Sequence, residues 1–164
     1  THRLSSAASD VYKRQPYIDF KVREWIYLDK IRDPGNLGTI LRSASWFGFK
    51  NIILSSESVD PYNPKAIRSG MGSHFGLNLY QGIKLKDFIK THLIVSGSTC
   101  GEDISNFKLP ERYVLVLGNE AHGISKNIEP LIQKSVSIKR LGEGESLNLS
   151  SAASILMSLL TRKK

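Results

Sequence analysis

The sequence is poor in the side chains that form disulfides and metal sites. One cysteine among 164 residues, Cys100, excludes an internal disulfide and fits a reducing compartment. The four histidines, His2, His74, His92 and His122, never fall at ligand spacing with cysteine or carboxylates, so we expect no metal site. No apolar run approaches the roughly 18 residues that a membrane span needs.

Two common phosphate-binding motifs are also absent. Neither the P-loop pattern nor G-x-G-x-x-G occurs, and Gly142-Glu143-Gly144 is only a fragment, with acidic residues where a phosphate would be repelled. This disfavours a dinucleotide-binding fold. The chain has no nucleophile elbow, Cys–His pair or aspartate cluster either, which argues against a small-molecule phosphatase or hydrolase.

Positive charge is in excess, with 23 Lys and Arg against 15 Asp and Glu and a formal net charge of +8. Clustered cations gain free energy by releasing counterions from phosphates, so the excess suits a nucleic acid; a generic solubilising surface fits the composition equally well. Residues 1–15 (THRLSSAASDVYKRQ) resemble translated sequencing adapter. We expect them to be non-native, with the true chain beginning further upstream.

Short apolar runs alternate with helical periodicity after Pro16, which predicts an α/β fold with a mostly parallel sheet flanked by helices. The predicted strands are 25–31, 51–55, 77–80, 93–98, 113–117 and 135–138. A helix between the first two strands is predicted to have Asn36 as its N-cap and Gly48 as its stop. The later predicted helices are 64–69, 84–91, 126–133 and 147–160, the last capped by Ser146.

Three segments place glycines and polar groups where an apolar run ends or a helix begins: 33–43, 115–125 and 142–150. Arg42 lies off the apolar stripe of its helix and can fork onto a phosphate, although a solvated surface arginine is the usual alternative. Gly118 lets a ligand approach the backbone closely, and an ordinary β-turn is the competing interpretation. Residues 63–75 combine Lys65 and Arg68 with glycines and an aromatic, which suits phosphate and base contacts or a plain basic helix and loop. His122 is a weak candidate for a general base.

These segments, in this order, resemble the three motifs of the SpoU/TrmH family of RNA ribose 2′-O-methyltransferases in the SPOUT superfamily. The first is carried by Asn36, Gly38 and Arg42; the second by Leu117, Gly118, Asn119, Glu120 and Gly123; the third by Glu145, Ser146, Leu147 and Asn148. The similarity runs from about Trp25 to the C-terminus. Residues 67–73 also resemble the stretch between the first two motifs of that family.

The resemblance implies a C-terminal deep trefoil knot in which S-adenosylmethionine binds as co-substrate. The implied contacts are Ser98, Thr99, Leu117, Gly118, Ile138, Leu147 and Asn148. Backbone groups can read the adenine edge while apolar side chains sandwich the ring. The resemblance also implies a homodimer with its interface at the knot and an active site drawing on both chains.

For the chemistry, the resemblance assigns the key role to Arg42, with Asn36 orienting it and Glu120, Ser146 and Asn148 supporting the site. Guanidinium keeps its proton far above neutral pH, so we interpret Arg42 as a phosphate anchor that also stabilises developing alkoxide charge, not as a base. The expected substrate is structured RNA, ribosomal more than transfer RNA. The expected phosphate contacts are Arg42, Lys65, Arg68, Lys139 and Arg140.

The domain organisation follows from the same resemblance. Residues 25–164 are expected to form the catalytic domain, and 16–24 the linker remnant of a missing N-terminal RNA-binding domain. We expect a cytoplasmic protein. The alternative is an RNA-binding protein that keeps the fold without transferring methyl groups, and the presence of Asn36, Arg42, Glu120 and Asn148 argues against it.

Overall fold

The structure, a computed structural model, describes residues 17–163, so the expectations for residues 1–15 lie outside the described part. Six strands form the sheet: β1 Glu24–Leu28, β2 Asn51–Leu54, β3 Asn78–Gln81, β4 Leu93–Asp103, β5 Tyr113–Leu117 and β6 Lys134–Ser137. The α-helices are α1 Pro34–Trp46, α2 Pro64–Gly70 and α3 Leu149–Thr161. Short 3₁₀ turns occupy Ser73–Gly76, Leu85–Phe88 and Glu129–Leu131.

The strands pair in the order β3-β2-β1-β5-β4-β6, and each neighbouring pair is parallel. The predicted parallel sheet with flanking helices is therefore confirmed, while the knot stays a prediction. Because the strands run the same way, their carboxyl ends meet at one edge of the sheet. That edge is where open α/β sheets bind ligands.

Side chains alternate between two apolar layers. Ile26 and Leu28 of β1 pack into a layer covered by the helices, whereas Trp25 and Tyr27 pack into a layer on the opposite face. On the helix side, α1 contributes Leu37, Ile40, Leu41 and Ala44, and α3 contributes Ala153, Leu156, Met157 and Leu160. On the other side the cover comes from Leu85, Phe88 and Ile128, with Ile18, Phe20 and Val22 packed against them.

Helices α1 and α2 cross at Gly38. A Cβ atom at that position would collide with the Ser69 Oγ and the Ala66 carbonyl oxygen, so glycine is required for the two backbones to approach. This contact fixes the orientation of α1 on the sheet. It also places the α1 face that carries Gly38 toward α2.

Several predicted boundaries differ from the structure. The first strand ends at Leu28 and not at residue 31, because Lys30 adopts a left-handed φ of 55°. The helices predicted at 84–91 and 126–133 were wrong. Each contains only a 3₁₀ turn, and Pro130 in the second cannot donate the N–H that a continuing helix needs. Strand β4 runs beyond residue 98 because an irregularity between Gly97 and Glu102 lets it resume pairing with β6.

The two predicted N-caps were also wrong. Asp33 caps α1 and Asn148 caps α3, in place of Asn36 and Ser146. Both helices therefore begin close to the predicted positions, but a different side chain satisfies their first N–H groups. The predicted stop is confirmed, since α1 ends at Trp46 and Gly48 follows with a φ of +81°.

Candidate functional site

A chain of side-chain hydrogen bonds joins the three motif segments. The Asn148 Nδ2 donates to the Asn36 Oδ1 over 3.1 Å, and the Asn36 Nδ2 donates to the Glu120 Oε1 over 2.9 Å. The three residues are separated by 84 and 112 positions along the chain. They meet because the start of α1, the end of β5 and the start of α3 lie at one edge of the sheet. We call this arrangement the amide relay.

The N-terminus of α1 positions Asn36. The Asp33 Oδ1 accepts the Asn36 N–H over 2.7 Å, and Pro34 supplies a fixed φ in the first turn. That N–H, together with the Lys65 ammonium 3.3 Å from the other Asp33 oxygen, lowers the pKa of the Asp33 carboxyl. A charged, bonded cap thus fixes the turn from which the Asn36 side chain extends.

Asn148 sets the direction of the relay. Its Oδ1 accepts the N–H groups of Ser150 and Ser151 over 2.9 and 3.3 Å, and the Ser150 hydroxyl over 2.7 Å. With its oxygen committed to the cap, the amide can offer only its NH₂ group to Asn36. Asn36 must then accept through oxygen and donate through nitrogen, which leaves Glu120 as the acceptor at the end.

Glu120 sits on a closed turn after β5. Asn119 and Gly123 exchange two backbone hydrogen bonds of 2.8 and 2.9 Å, and the Asn119 Oδ1 accepts the N–H groups of Ala121 and His122. A side chain at Gly118 would collide with the backbone of Gly123 and lie 2.6 Å from the Ile124 nitrogen. The turn therefore folds back over Gly118 at a distance that only glycine allows.

A cleft of about 420 Å³ opens beside the relay. Its lining is Arg32, Asp33, Asn36, Asn119, Glu120, Ala121 and His122. The volume falls within the range typical of small-ligand sites. The carboxylates of Asp33 and Glu120 and the guanidinium of Arg32 belong to this lining, so the cleft carries charges of both signs. His122 lies at the rim as an exposed side chain.

The residues predicted to hold a cofactor follow three adjacent strands. Ser98 and Thr99 lie in the β4 irregularity, Leu117 and Gly118 at the end of β5, and Ile138 just after β6. Since β5, β4 and β6 are neighbours, these positions share the edge that carries the relay. Residues 98–101 stand outside the β4–β6 ladder. The Cys100 N–H donates to the Ser98 Oγ and the Gly101 carbonyl accepts from the Ser137 Oγ, so the backbone of residues 98 and 99 is what this stretch can offer a ligand.

The segment before α3 is exposed. Leu147 keeps 52% of its surface accessible and Leu141 keeps 88%. Ser146 is exposed and makes no hydrogen bond within residues 17–163, although it lies two residues from the relay. Gly144 adopts a φ of +135° and its carbonyl accepts the Arg140 Nη1 over 2.8 Å, so Arg140 braces this loop.

Arg42 lies apart from the relay in the same chain. It follows Asn36 by six residues, which is about 9 Å along a helix and about a third of a turn short of the same face. The side chain is exposed and has neither a hydrogen bond nor an ion pair with the described residues. Asn36 bonds to Glu120 and Asn148 and does not orient Arg42 within one chain. Lys65, Arg68 and Lys139 are likewise exposed.

Sequence reasoning missed two carboxylates: Asp33, which lines the cleft, and Asp29, which accepts a hydrogen bond from the segment after β5. Asp33 could have been found, because Asp-Pro before an apolar helix is a typical N-cap and N1 pair. Asp29 is 2% exposed and accepts the Ser125 N–H over 2.8 Å, and a lone aspartate after a strand carries no comparable signal. Among residues 17–163, no cluster of three His, Cys, Asp or Glu side chains could hold a metal ion.

Residues 24–158 match the SpoU rRNA Methylase family. The chain belongs to this family. It is 30% identical over 140 residues to the 23S rRNA (guanosine(2553)-2′-O)-methyltransferase RlmP of Bacillus subtilis, an alignment that covers 82% of this chain and 56% of that protein.

Solved structures agree with that membership. The SpoU methyltransferase AviRb from Streptomyces viridochromogenes, in complex with the cofactor AdoMet, superposes with a TM-score of 0.80 at 28% identity, over 92% of this chain and 60% of that one. An AdoMet-bound rRNA methyltransferase from Sinorhizobium meliloti gives 0.76 at 31% identity, over 85% and 56%. The chain spans about half the length of the curated relatives it matches.

Proposed function

We propose that this chain transfers the methyl group of S-adenosylmethionine to a ribose 2′-hydroxyl in structured RNA, with ribosomal RNA favoured over transfer RNA. The amide relay carries the proposal, because it ties the three motif segments of the family into one site beside a cleft. The relatives named for 23S rRNA support the choice of RNA.

The edge formed by β5, β4 and β6 fits S-adenosylmethionine. Residues 98 and 99 lie outside the β4–β6 ladder, and Gly118 follows the end of the neighbouring strand β5 at the same edge. Ile138 and the exposed Leu147 supply apolar surface for an adenine ring, and Ser98, Thr99 and Asn148 supply polar groups. Leu117 is 2% exposed and ends β5 at the same edge. When bound, the co-substrate provides an electrophilic sulfonium methyl group.

The chain's own residues would orient the acceptor and stabilise charge. The relay holds Glu120 by one carboxylate oxygen, which leaves the other available to a ligand hydroxyl in the cleft. We assign Arg42 to the phosphate next to the acceptor ribose and to the alkoxide that develops there, with Ser146 supporting the same site. Fixing the ribose in line with the methyl donor supplies most of what such a transfer requires.

We further propose that Arg42 reaches the relay of a second copy of the chain. In one copy Arg42 lies on the α1 face that carries Gly38, at spacings of four residues from both Gly38 and Trp46. That helix packs along α2 and the turn after it, where a Cβ on Gly76 would lie 4.0 Å from the Ser45 Oγ. Three large exposed side chains belong to these elements: Trp46, 85% exposed, lies four residues after Arg42, and Met71, 72% exposed, and Phe75, 93% exposed, lie in the segment that follows α2.

The set Arg42, Trp46, Met71 and Phe75, which we call the Arg42 surface, has the composition of an interface core. Aromatic residues, methionine and arginine are the types enriched there, and lysine and glutamate are depleted. We propose that the interface expected at the knot extends to this surface, where a two-fold axis would bury the apolar groups of both copies. It would also direct each Arg42 toward its partner's half of the dimer, so that each active site would need residues of both chains.

Exposed cations on α2 and after β6 form the proposed RNA-binding surface. Lys65 and Arg68 extend the positive charge from Arg42 along α2, and Lys139 and Arg140 add charge beyond β6. Exposed cations of this kind bind phosphates.

We propose an RNA-binding domain upstream, joined through residues 16–24, and a cytoplasmic location in keeping with the bacterial relatives. No helix within residues 17–163 has the length and apolar character to cross a bilayer.

Labelled methyl transfer from S-adenosylmethionine to ribosomal and transfer RNA, followed by nucleoside mapping, tests the function. We expect 2′-O-methylated nucleosides with the wild-type protein and at least about a hundredfold less with Arg42→Ala. Arg42→Lys is expected to lose most activity, since an ammonium lacks the planar fork. Binding of RNA without any transfer would replace the proposal with the non-catalytic alternative.

A further inference from the structure

Hydrogen bonds to the two residues that follow β1 hold the turn that carries Glu120. Its first residue, Asn119, donates from Nδ2 to the Lys30 carbonyl over 2.8 Å. Just beyond its other end, the Ser125 N–H donates to the Asp29 Oδ2 over 2.8 Å. Two consecutive residues after β1 therefore hold both ends of the 119–125 segment, across 89 and 96 positions of sequence.

The two anchoring residues are themselves fixed. The Asp29 N–H donates to the Leu117 carbonyl over 2.9 Å and so extends the β1–β5 ladder by one step. Lys30 adopts a φ of 55°, unusual for a side chain other than glycine, and its N–H donates to the Ser55 Oγ over 2.8 Å. The strained residue turns its carbonyl toward Asn119 while the strand end stays in register.

The burial of Asp29 needs an explanation. A carboxylate that is 2% exposed and accepts the Ser125 N–H is costly to bury in a folded protein. An apolar residue at the same place would avoid that cost but would leave the Ser125 N–H without this acceptor. The buried carboxylate therefore fixes the end of the turn through the Ser125 N–H. That turn carries Glu120, the acceptor of the amide relay.

We infer that Asp29 is a positioning residue for Glu120: its carboxylate, acting with the Lys30 carbonyl, holds the 119–125 turn at the distance that Asn36 requires. The inference rests on the proposed function for its effect on methyl transfer. Its structural part does not, because it makes a statement about the turn alone. Asp29 does not line the cleft, so it acts through the turn.

Amide hydrogen exchange of the wild-type protein and Asp29→Ala tests the structural part. We expect faster exchange at Ser125, Ala121 and His122 in the variant. Exchange in the β5 amides should be unchanged. His92→Ala is the matched control, because it removes another buried polar side chain, 3% exposed and bonded to the Val22 carbonyl at the opposite end of the sheet. Unchanged exchange at the three turn amides in Asp29→Ala overturns the inference, whatever the RNA assay gives.

A double-mutant cycle on kcat tests the catalytic part. We expect Asp29→Ala to lower kcat by about 10²-fold with KM for RNA within about twofold, since displacing a catalytic group by about 1 Å has that effect. In a Glu120→Gln background the same change should have no further effect. Asp29→Asn keeps an acceptor oxygen and should recover most of the rate; it also serves where Asp29→Ala fails to fold. Full additivity with Glu120→Gln overturns the positioning role.

Discussion

The Asn148 amide has two partners at once: it caps α3 through its oxygen and donates to Asn36, in the first turn of α1, through its nitrogen. The starts of two helices 112 positions apart are thereby joined by one side chain. The asparagine amide carries its acceptor and its donor on two different atoms, so it can accept the cap bonds and reach Asn36 at once, whereas a serine hydroxyl carries both on one atom. Serine and aspartate cap equally well but cannot reproduce both contacts.

Asn148→Asp separates the two contacts. The carboxylate still accepts from Ser150 and Ser151, so the free energy of unfolding should change by no more than about 0.5 kcal/mol. It cannot donate to Asn36, so kcat should fall by about tenfold or more. Denaturant unfolding and steady-state methyl transfer measure the two effects. Asn148→Ser, an uncharged cap, is the control, and a wild-type rate in either variant would remove the relay from the mechanism.

Gly118→Ala should disrupt the turn that carries Glu120. The added methyl group would meet the Gly123 backbone and lie 2.6 Å from the Ile124 nitrogen, and neither is a flexible side chain that can move aside. We expect a loss of about 1–3 kcal/mol in the free energy of unfolding, measured by urea denaturation. Gly142→Ala, where a Cβ meets no atom within 4 Å, is the matched control. Equal stability of the two variants would contradict the packing described here.

Stability should fall on mild acidification because of His92. Burial lowers the pKa of the His92 imidazole below its ordinary value of 6.5, and the Arg112 charge acts in the same direction. Between that lowered pKa and 6.5 the unfolded chain binds more protons than the folded one, so stability decreases as pH falls through this window. Thermal unfolding of the wild type between pH 7.5 and 5 measures it. His92→Gln should show a shallower slope, and an unchanged slope would assign the effect to other groups.

Phe75→Asp should separate the proposed dimer. The side chain is 93% exposed in one chain and lies on the Arg42 surface, so a charge there costs little in the monomer and would be buried in the dimer. Sedimentation velocity should show a dimer for the wild type and a monomer for the variant. Tyr17→Asp, 86% exposed and on the N-terminal segment, should leave the dimer intact. A dimer that survives Phe75→Asp would place the interface elsewhere.

The sequence predicted the elements whose apolar pattern is unbroken. Strand β5, Tyr113–Leu117, has the predicted bounds because its five residues are all buried at the centre of the sheet. The helices predicted around Leu85 and Pro130 are wrong because three or four apolar residues at helical spacing also fit a single 3₁₀ turn. The continuation of β4 depends on pairing with β6 after an irregularity, which local sequence does not encode.

The site was predictable in its members more than in its contacts. Asn36, Glu120 and Asn148 were chosen from three motif segments, and the structure brings them together. Which of two neighbouring polar residues caps each helix was not predictable, because Asp33 and Asn36, or Ser146 and Asn148, are all good caps. The burial of Asp29 arises from tertiary packing, whereas the separation of Arg42 from Asn36 follows from their six-residue spacing on α1.

A mixed dimer of two inactive chains tests the central claim most directly. One chain carries Arg42→Ala and the other Glu120→Ala, each with a different affinity tag so that the mixed species can be purified. If Arg42 serves the relay of its partner, one of the two sites is intact and methyl transfer returns to about half the wild-type rate. If Arg42 and Glu120 act within the same chain, both sites are damaged, and a mixed dimer as inactive as its parents would contradict the account.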